Sequence, residues 1–222
     1  MVSPPSFREE DMGNLKPLVK ETPWFRVEAD PWGVFPSVKV LGRWAYHWVT
    51  VPGVDPWSEP EKRFFHAIVQ GLVKSGFANA RLNITAKKIN FSTSFKLEFD
   101  IGWALERYKH WTVYVTKLPP GSHPLTLVSH VDGVNRVVRL DTADLMNYHV
   151  CNAAGNCNVF NAIPHELVHT WGHNPDEAVP GSPHLRDTKS VLNIGNQLRN
   201  RHMHLILKCL EELVPDARFS LA

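Results

Sequence analysis

The stretch NAIPHELVHTWGH, residues 161–173, brings together His165, Glu166, His169 and His173. The first three fit the spacing H-E-x-x-H. On a helix, residues four apart stand on one face, one turn above the other, so the two imidazoles can hold one Zn2+. Glu166, next to the first of them, can reach the metal's water without being a ligand. A metal lowers the pKa of that water, and the carboxylate takes its proton as it attacks a carbonyl. The chemistry implied is metal-assisted hydrolysis. The competing reading is an amphipathic helix with exposed histidines.

A catalytic zinc needs a third protein ligand. The candidates are His173, Asp176, Glu177, His184 and His202. Gly172 stands where a metzincin has its glycine, but Pro175 occupies the place of that pattern's last histidine. His173 directly follows Gly172 and needs a backbone reversal to face the metal. Asp176-Glu177 is an acidic pair just past a turn, and either residue could close the site. His202 reaches it only if a C-terminal helix packs beside the first.

The elements that must position these groups follow from periodicity. Asn161 is an N-cap and Pro164 falls in the first turn of a helix over 161–173. Leu167 and Val168 give it an apolar side for a core, and Gly172 permits the chain to turn away. NQLRNRHMHLILKCLEEL predicts a final helix stopped before Pro215. Upstream, Ser58 and Glu61 form a capping box. Phe64, Phe65, Ile68, Val69, Leu72 and Val73 then recur at helical spacing, which predicts a helix from about 59 to 74. Between about 81 and 140 the period changes to two. Phe91, Phe95, Leu97, Phe99 and Ile101 alternate, WTVYVTKL and LTLVSHV are β-rich, and VDGVNRVVRL carries an Asp-Gly hairpin signal. Three to five strands are expected there. Residues 1–56, rich in Pro and Trp, read as an irregular segment with short strands at Ser37–Leu41 and Trp44–Val51, packed on a domain spanning 57–222. Strands first and helices after predict an α+β fold, a mixed or antiparallel sheet followed by an active-site helix and a C-terminal helix.

Composition narrows the function classes. The 222 residues are 43% hydrophobic and 21% charged, with a net charge of +2, too balanced to point to nucleic acid or an acidic membrane. No apolar run has the length of a membrane span. The N-terminus MVSPPSFREEDMGNL lacks a basic region followed by an apolar core, so it reads as a leader rather than a secretory signal. Of three cysteines, Cys151 and Cys157 bracket the polar loop NAAGN and stand either as a hairpin disulfide or as free thiols. Cys209 sits in an apolar helical stretch and reads as core.

HELVHTWGHNPDE followed by SPHLRDTKSVLNIGNQLRNRHMHLIL resembles the zincin metallopeptidase effector domains of bacterial type VI secretion, found with VgrG spike proteins and Rhs-type toxins. The shared pattern is a zincin helix, the pair Asp176-Glu177, the turn Ser190-Val191-Leu192-Asn193, and Arg199-Asn200-Arg201-His202. It covers about 161–213. Ala178 stands where the family often has Tyr, and Leu192 replaces the Met of the turn. The resemblance implies His165 and His169 as zinc ligands, Glu166 as base and Glu177 as third ligand, with Asp176 and His202 behind it. His202 reads instead either as a donor to the oxyanion or as a histidine packed between helices. Arg199 and Arg201 read as salt-bridge residues.

The expectation is therefore a zinc peptidase made in the cytoplasm, carried by a secretion spike, and active in a target cell's periplasm. Its partners would be a protein or cell-wall peptide substrate and a cognate immunity protein. The alternative is a non-catalytic binding or cargo module with a structural metal or none, docking through Trp24, Trp32, Trp44, Trp48 and Trp57, unless those tryptophans are core.

Overall fold

The structure is a computed structural model and describes residues 16–30, 36–87, 92–123, 128–152, 155–172 and 174–222. The expectations for Trp32, Phe91, Leu125, Leu127 and His173 lie outside the described residues.

Among the described residues the architecture is mixed α+β, with a core that is mostly sheet and three α-helices. The strands are β1 (Leu18–Glu21), β2 (Arg26–Asp30), β3 (Ser37–Thr50), β4 (Arg81–Ala86), β5 (Ser92–Trp103), β6 (Trp111–Lys117), β7 (His130–Asp132), β8 (Val137–Asp141), β9 (Tyr148–Cys151), β10 (Cys157–Phe160) and β11 (Ala217–Leu221). The helices are α1 (Glu59–Gly76), α2 (Ala162–His169) and α3 (His204–Leu213).

Nine strands form one sheet, in the order β11-β4-β5-β3-β6-β8-β7, with β1 and β2 added along β3. The sheet is mixed. β3 runs parallel to β5 and β6, and β6 parallel to β8, while the remaining pairs are antiparallel. The stretch read as irregular instead supplies β1, β2 and the 14-residue β3. The two short strands expected there are one. Its first half pairs with β2 and β5 and its second half with β6, so Gly42 and Arg43 have ladder partners and do not interrupt it. Trp44 is fully buried, and Trp24, Trp48 and Trp57 pack against the core. Trp48 and Trp57 rings lie 4.8 Å apart beside Phe65.

In β5 the alternation holds, with Phe95, Leu97, Phe99 and Ile101 all buried. The capping box forms on α1, where the Ser58 N–H donates to Glu61 Oε2 at 2.8 Å and the Glu61 N–H to Ser58 Oγ at 3.4 Å. Phe65, Val69 and Val73 make its buried face, while Phe64 of the same run is exposed. α1 packs on β5 and α2. The expected C-terminal helix begins later than its periodicity suggests. Asn200–Met203 is a 3-10 turn, and α3 runs only from His204. α3 rests on β11, β1 and β2. β11 was not expected from the sequence. It pairs with β4 and closes that edge of the sheet.

β9 and β10 form a separate antiparallel hairpin that leads directly into α2. Cys151 faces Cys157 across it, and the two are joined as a disulfide. Cys209 is free and buried.

Candidate metal centre

α2 carries the HELVH residues. Asn161 caps it, its side-chain oxygen accepting the Ile163 N–H at 3.0 Å. The helix ends at His169, short of the expected residue 173. Thr170 Oγ1 donates back to the Leu167 carbonyl at 2.6 Å, and Gly172 takes a φ of 131°, where a side chain would be strained. Seven of its eight residues are buried, including His165 and Glu166. Trp171, just beyond it, stacks on Phe99 at 4.5 Å and tilts against Phe77. Losing such a buried aromatic costs about 3–5 kcal/mol, so this stack anchors the helix to the sheet and α1.

Both imidazoles are oriented by carbonyls. His165 Nδ1 lies 2.8 Å from the Val191 carbonyl, and His169 Nδ1 bonds the Asn174 carbonyl. A carbonyl only accepts, so each ring keeps its proton on Nδ1 and presents the Nε2 lone pair. The two Nε2 atoms are 3.1 Å apart. Asp176 Oδ1 lies 3.1 Å from His165 Nε2 and 3.3 Å from His169 Nε2. With neutral rings no proton lies between these three electron-pair donors, so they call for a cation: a metal ion or, without one, protons on the Nε2 atoms. His165, His169 and Asp176 are the one group among the described residues that could hold a metal ion. Hydrogen bonds from His165 and then His169 hold the Asp176 carboxyl well below its usual range. Burial pushes His169 down, but the Asp176 hydrogen bond and the charges of Glu166 and Asp176 outweigh it and raise its pKa.

Glu166 is 5% exposed, and its Oε2 is buried without a hydrogen-bond partner among the described residues. Burial pushes its pKa up, against the pull of His165 and His169. An orphaned carboxylate oxygen beside three converging ligands is expected to have a partner that the described residues do not supply.

The expected third ligand, Glu177, faces elsewhere. Its carboxylate accepts from Arg201 Nε at 2.6 Å, Arg201 Nη2 at 2.8 Å and His202 Nε2 at 3.0 Å. The carboxylate that meets the imidazoles is Asp176, one residue earlier. His202 is not at the metal group either, and it does not line the cavity there. Its Nδ1 accepts the Arg199 N–H at 3.2 Å, which leaves Nε2–H to donate to Glu177. Ser190 Oγ lies 3.3 Å from the same Nε2. The expected oxyanion role thus gives way to a bracing one. Asp187 completes the brace, taking two bonds from Arg199 and one from Arg201, each 2.8 Å. His184 is exposed, and its carbonyl accepts from Asn193.

The brace fixes the turn beneath the ligands. Glu177 N–H donates to the Leu192 carbonyl at 2.8 Å, Leu192 is buried as an apolar floor, and the neighbouring Val191 carbonyl aims His165. Gly195 is required here, since a Cβ would come within 2.3 Å of the Lys189 carbonyl. Asn174 ties α2 to this region, donating to the Val168 and His202 carbonyls.

A cavity of about 310 Å3 opens onto the group. His165, Glu166, His169 and Asp176 line one part of it, and Asp144 and Tyr148 another. Asp144 belongs to a 3-10 turn, Thr142–Leu145, packed beside α2. Neither Asp144 nor Tyr148 stood out in the sequence. DTAD reads as an ordinary capping motif, and a tyrosine in a short strand carries no signal.

No protein-family model, curated protein or solved structure matches this chain.

Proposed function

We propose that this chain is a zinc-dependent peptidase of zincin-like fold. One observation carries the reading: His165, His169 and Asp176 converge beside the partnerless oxygen of Glu166. The ligand separations of 3.1, 3.1 and 3.3 Å agree with the edge of about 3.3 Å of a tetrahedron whose bonds are about 2.0–2.1 Å, as zinc makes to nitrogen and oxygen. A structural zinc is closed by four protein ligands, whereas a catalytic one keeps a position open. Three are offered here, on a cavity. When bound, the ion supplies Lewis acidity that lowers the pKa of water and polarises a carbonyl.

The chain's own groups do the rest. The Val191 and Asn174 carbonyls hold the two imidazoles in the ligating tautomer. Glu166 accepts the proton of the attacking water and returns it to the leaving amine. The Asp187–Arg201–Glu177–His202 brace keeps the Asp176 segment in register with α2.

We place this activity in an antibacterial effector carried by secretion machinery, acting in a target periplasm and countered by an immunity protein. The support is the order of motifs over 161–213 together with the Cys151–Cys157 disulfide, a bond that persists in oxidising compartments.

The test is metal content by mass spectrometry beside hydrolysis of a peptide mixture. A single zinc per chain is expected in the unsubstituted protein and in Glu166→Gln, and none in His165→Ala or Asp176→Ala. Cleavage should fall roughly a thousandfold in Glu166→Gln. A chain that takes up no added zinc, or a Glu166→Gln protein that cleaves at full rate, overturns the proposal.

A further inference from the structure

We infer that Asp144 is the floor of a subsite for a cationic side chain, an aliphatic ammonium or guanidinium such as lysine or arginine carries. Calling that ligand a substrate rests on the peptidase reading; the cation site itself rests on the cavity.

Among the described residues no lysine or arginine lines the cavity, while three carboxylates do: Asp144, Glu166 and Asp176. Asp176 is occupied by the two imidazoles, and Glu166 stands next to them in α2. Asp144 has no such task. It is 1% exposed. Its Oδ2 accepts the Ser129 hydroxyl at 2.6 Å and the Asp141 N–H at 2.7 Å. Both bonds fall on one oxygen. Among the described residues nothing donates to Oδ1. Among the described residues, the other ionisable side chains on this cavity are His130, Tyr148 and the two ligand histidines. His130 is exposed, with its Nδ1 3.2 Å from the Val128 carbonyl. Burial, and then the charges of Asp141 and Glu166, push the Asp144 carboxyl up to about 7. A carboxylate this buried is costly unless a cation or a proton meets it.

The walls suit the rest of such a ligand. Val128, Val131, Val150 and Val179 line the same cavity. Apolar walls cover the methylene stem of a lysine or arginine, while its head makes a charge-assisted bond with the acid at the end. An anionic side chain would meet three carboxylates and be rejected. The volume, about 310 Å3, lies at the small end of ligand pockets, which span about 300–1,000 Å3. The metal group and Asp144 share this one cavity, so a ligand held at Asp144 lies beside the metal group.

The test is a ligand-observed NMR titration of the full chain at pH 8 with three probes: Nα-acetyl-lysine amide, Nα-acetyl-norleucine amide and Nα-acetyl-glutamate amide. Norleucine keeps the stem and lacks the charge. The lysine probe should bind at least tenfold more tightly than norleucine, and the glutamate probe not at all. Asp144→Asn keeps an oxygen for the Ser129 and Asp141 bonds and should bring lysine to the norleucine level. Equal binding of the three probes to the unsubstituted chain overturns the inference without any variant. So does a lysine preference that survives Asp144→Asn. Lysine binding in a chain that cleaves no peptide would sink the peptidase reading alone, and cleavage without lysine preference would sink this inference alone.

Discussion

Around α2 the carboxylates fall into two regions. On the cavity, Asp144, Glu166 and Asp176 meet no lysine or arginine among the described residues. In the adjoining brace, Glu177 and Asp187 are gripped by Arg199 and Arg201 through bonds of 2.6 to 2.8 Å. Asp176 and Glu177 are consecutive, yet one belongs to each region: Asp176 meets the two imidazoles and Glu177 meets Arg201 and His202. The difference separates two uses of a negative charge. A carboxylate already satisfied by arginine can hold structure but has little left to offer a ligand. One left facing imidazoles or apolar walls is poised for a cation that the chain does not contain.

The largest stability effect that sharpens this contrast is expected at Glu177. Glu177→Ala takes the carboxylate from the buried His202 and leaves Arg201 only its Asp187 bond, and removing one partner of a buried ion pair costs about 3 kcal/mol. Asp176→Ala, measured without zinc in the same urea titration, should change stability by less than about 1 kcal/mol. Added zinc should then stabilise the Glu177→Ala chain by mass action but leave Asp176→Ala unmoved. Equal losses in both metal-free variants would erase the distinction between the regions.

A smaller effect, of opposite sign, is expected on the cavity side. Asp144 has its folded pKa raised to about 7 by burial, above an unfolded value of about 3.9. A raised carboxyl leaves stability intact below the unfolded pKa and drains it as pH rises through the folded one. Asp144→Asn removes that loss. The variant should match the unsubstituted chain near pH 4 and exceed it by about 2 kcal/mol at pH 8, read from urea midpoints. A variant less stable at pH 8 would mean that the Asp144 charge is already paired.

What was legible in the sequence follows the same division. HELVH could be read because its geometry is local: positions four apart share a helix face, whatever surrounds them. The α1 capping box and the β5 alternation were legible for the same reason. The choice between Asp176 and Glu177 was not, because Arg201 decides it from 24 residues away. His202 looked like a catalytic donor in RNRHMH, whereas its environment is set by Glu177 and Ser190 across the fold. β3 was read as two strands because Gly42-Arg43 resembles a break, and only β2, β5 and β6 on its two edges make it continuous. β11 is five residues long and draws its order from β4 rather than from its own pattern.

The smallest effect tests whether the brace is electrostatic at all. Hydrogen bonds from Arg199, opposed by burial and joined by those of Arg201, hold the Asp187 carboxyl below its usual range. A depressed carboxyl contributes stability above its unfolded pKa of about 3.9, and that contribution is lost as pH falls toward the folded value. Asp187 keeps 27% of its side chain in solvent, so screening limits the contribution to about 1 kcal/mol at pH 7. Asp187→Asn should therefore lower the urea midpoint modestly at pH 7, and the gap should shrink as pH drops below 4 and again in 1 M salt. A gap that persists unchanged under both conditions would assign the brace to packing and hydrogen-bond geometry. Charge would then no longer be what separates it from the cavity.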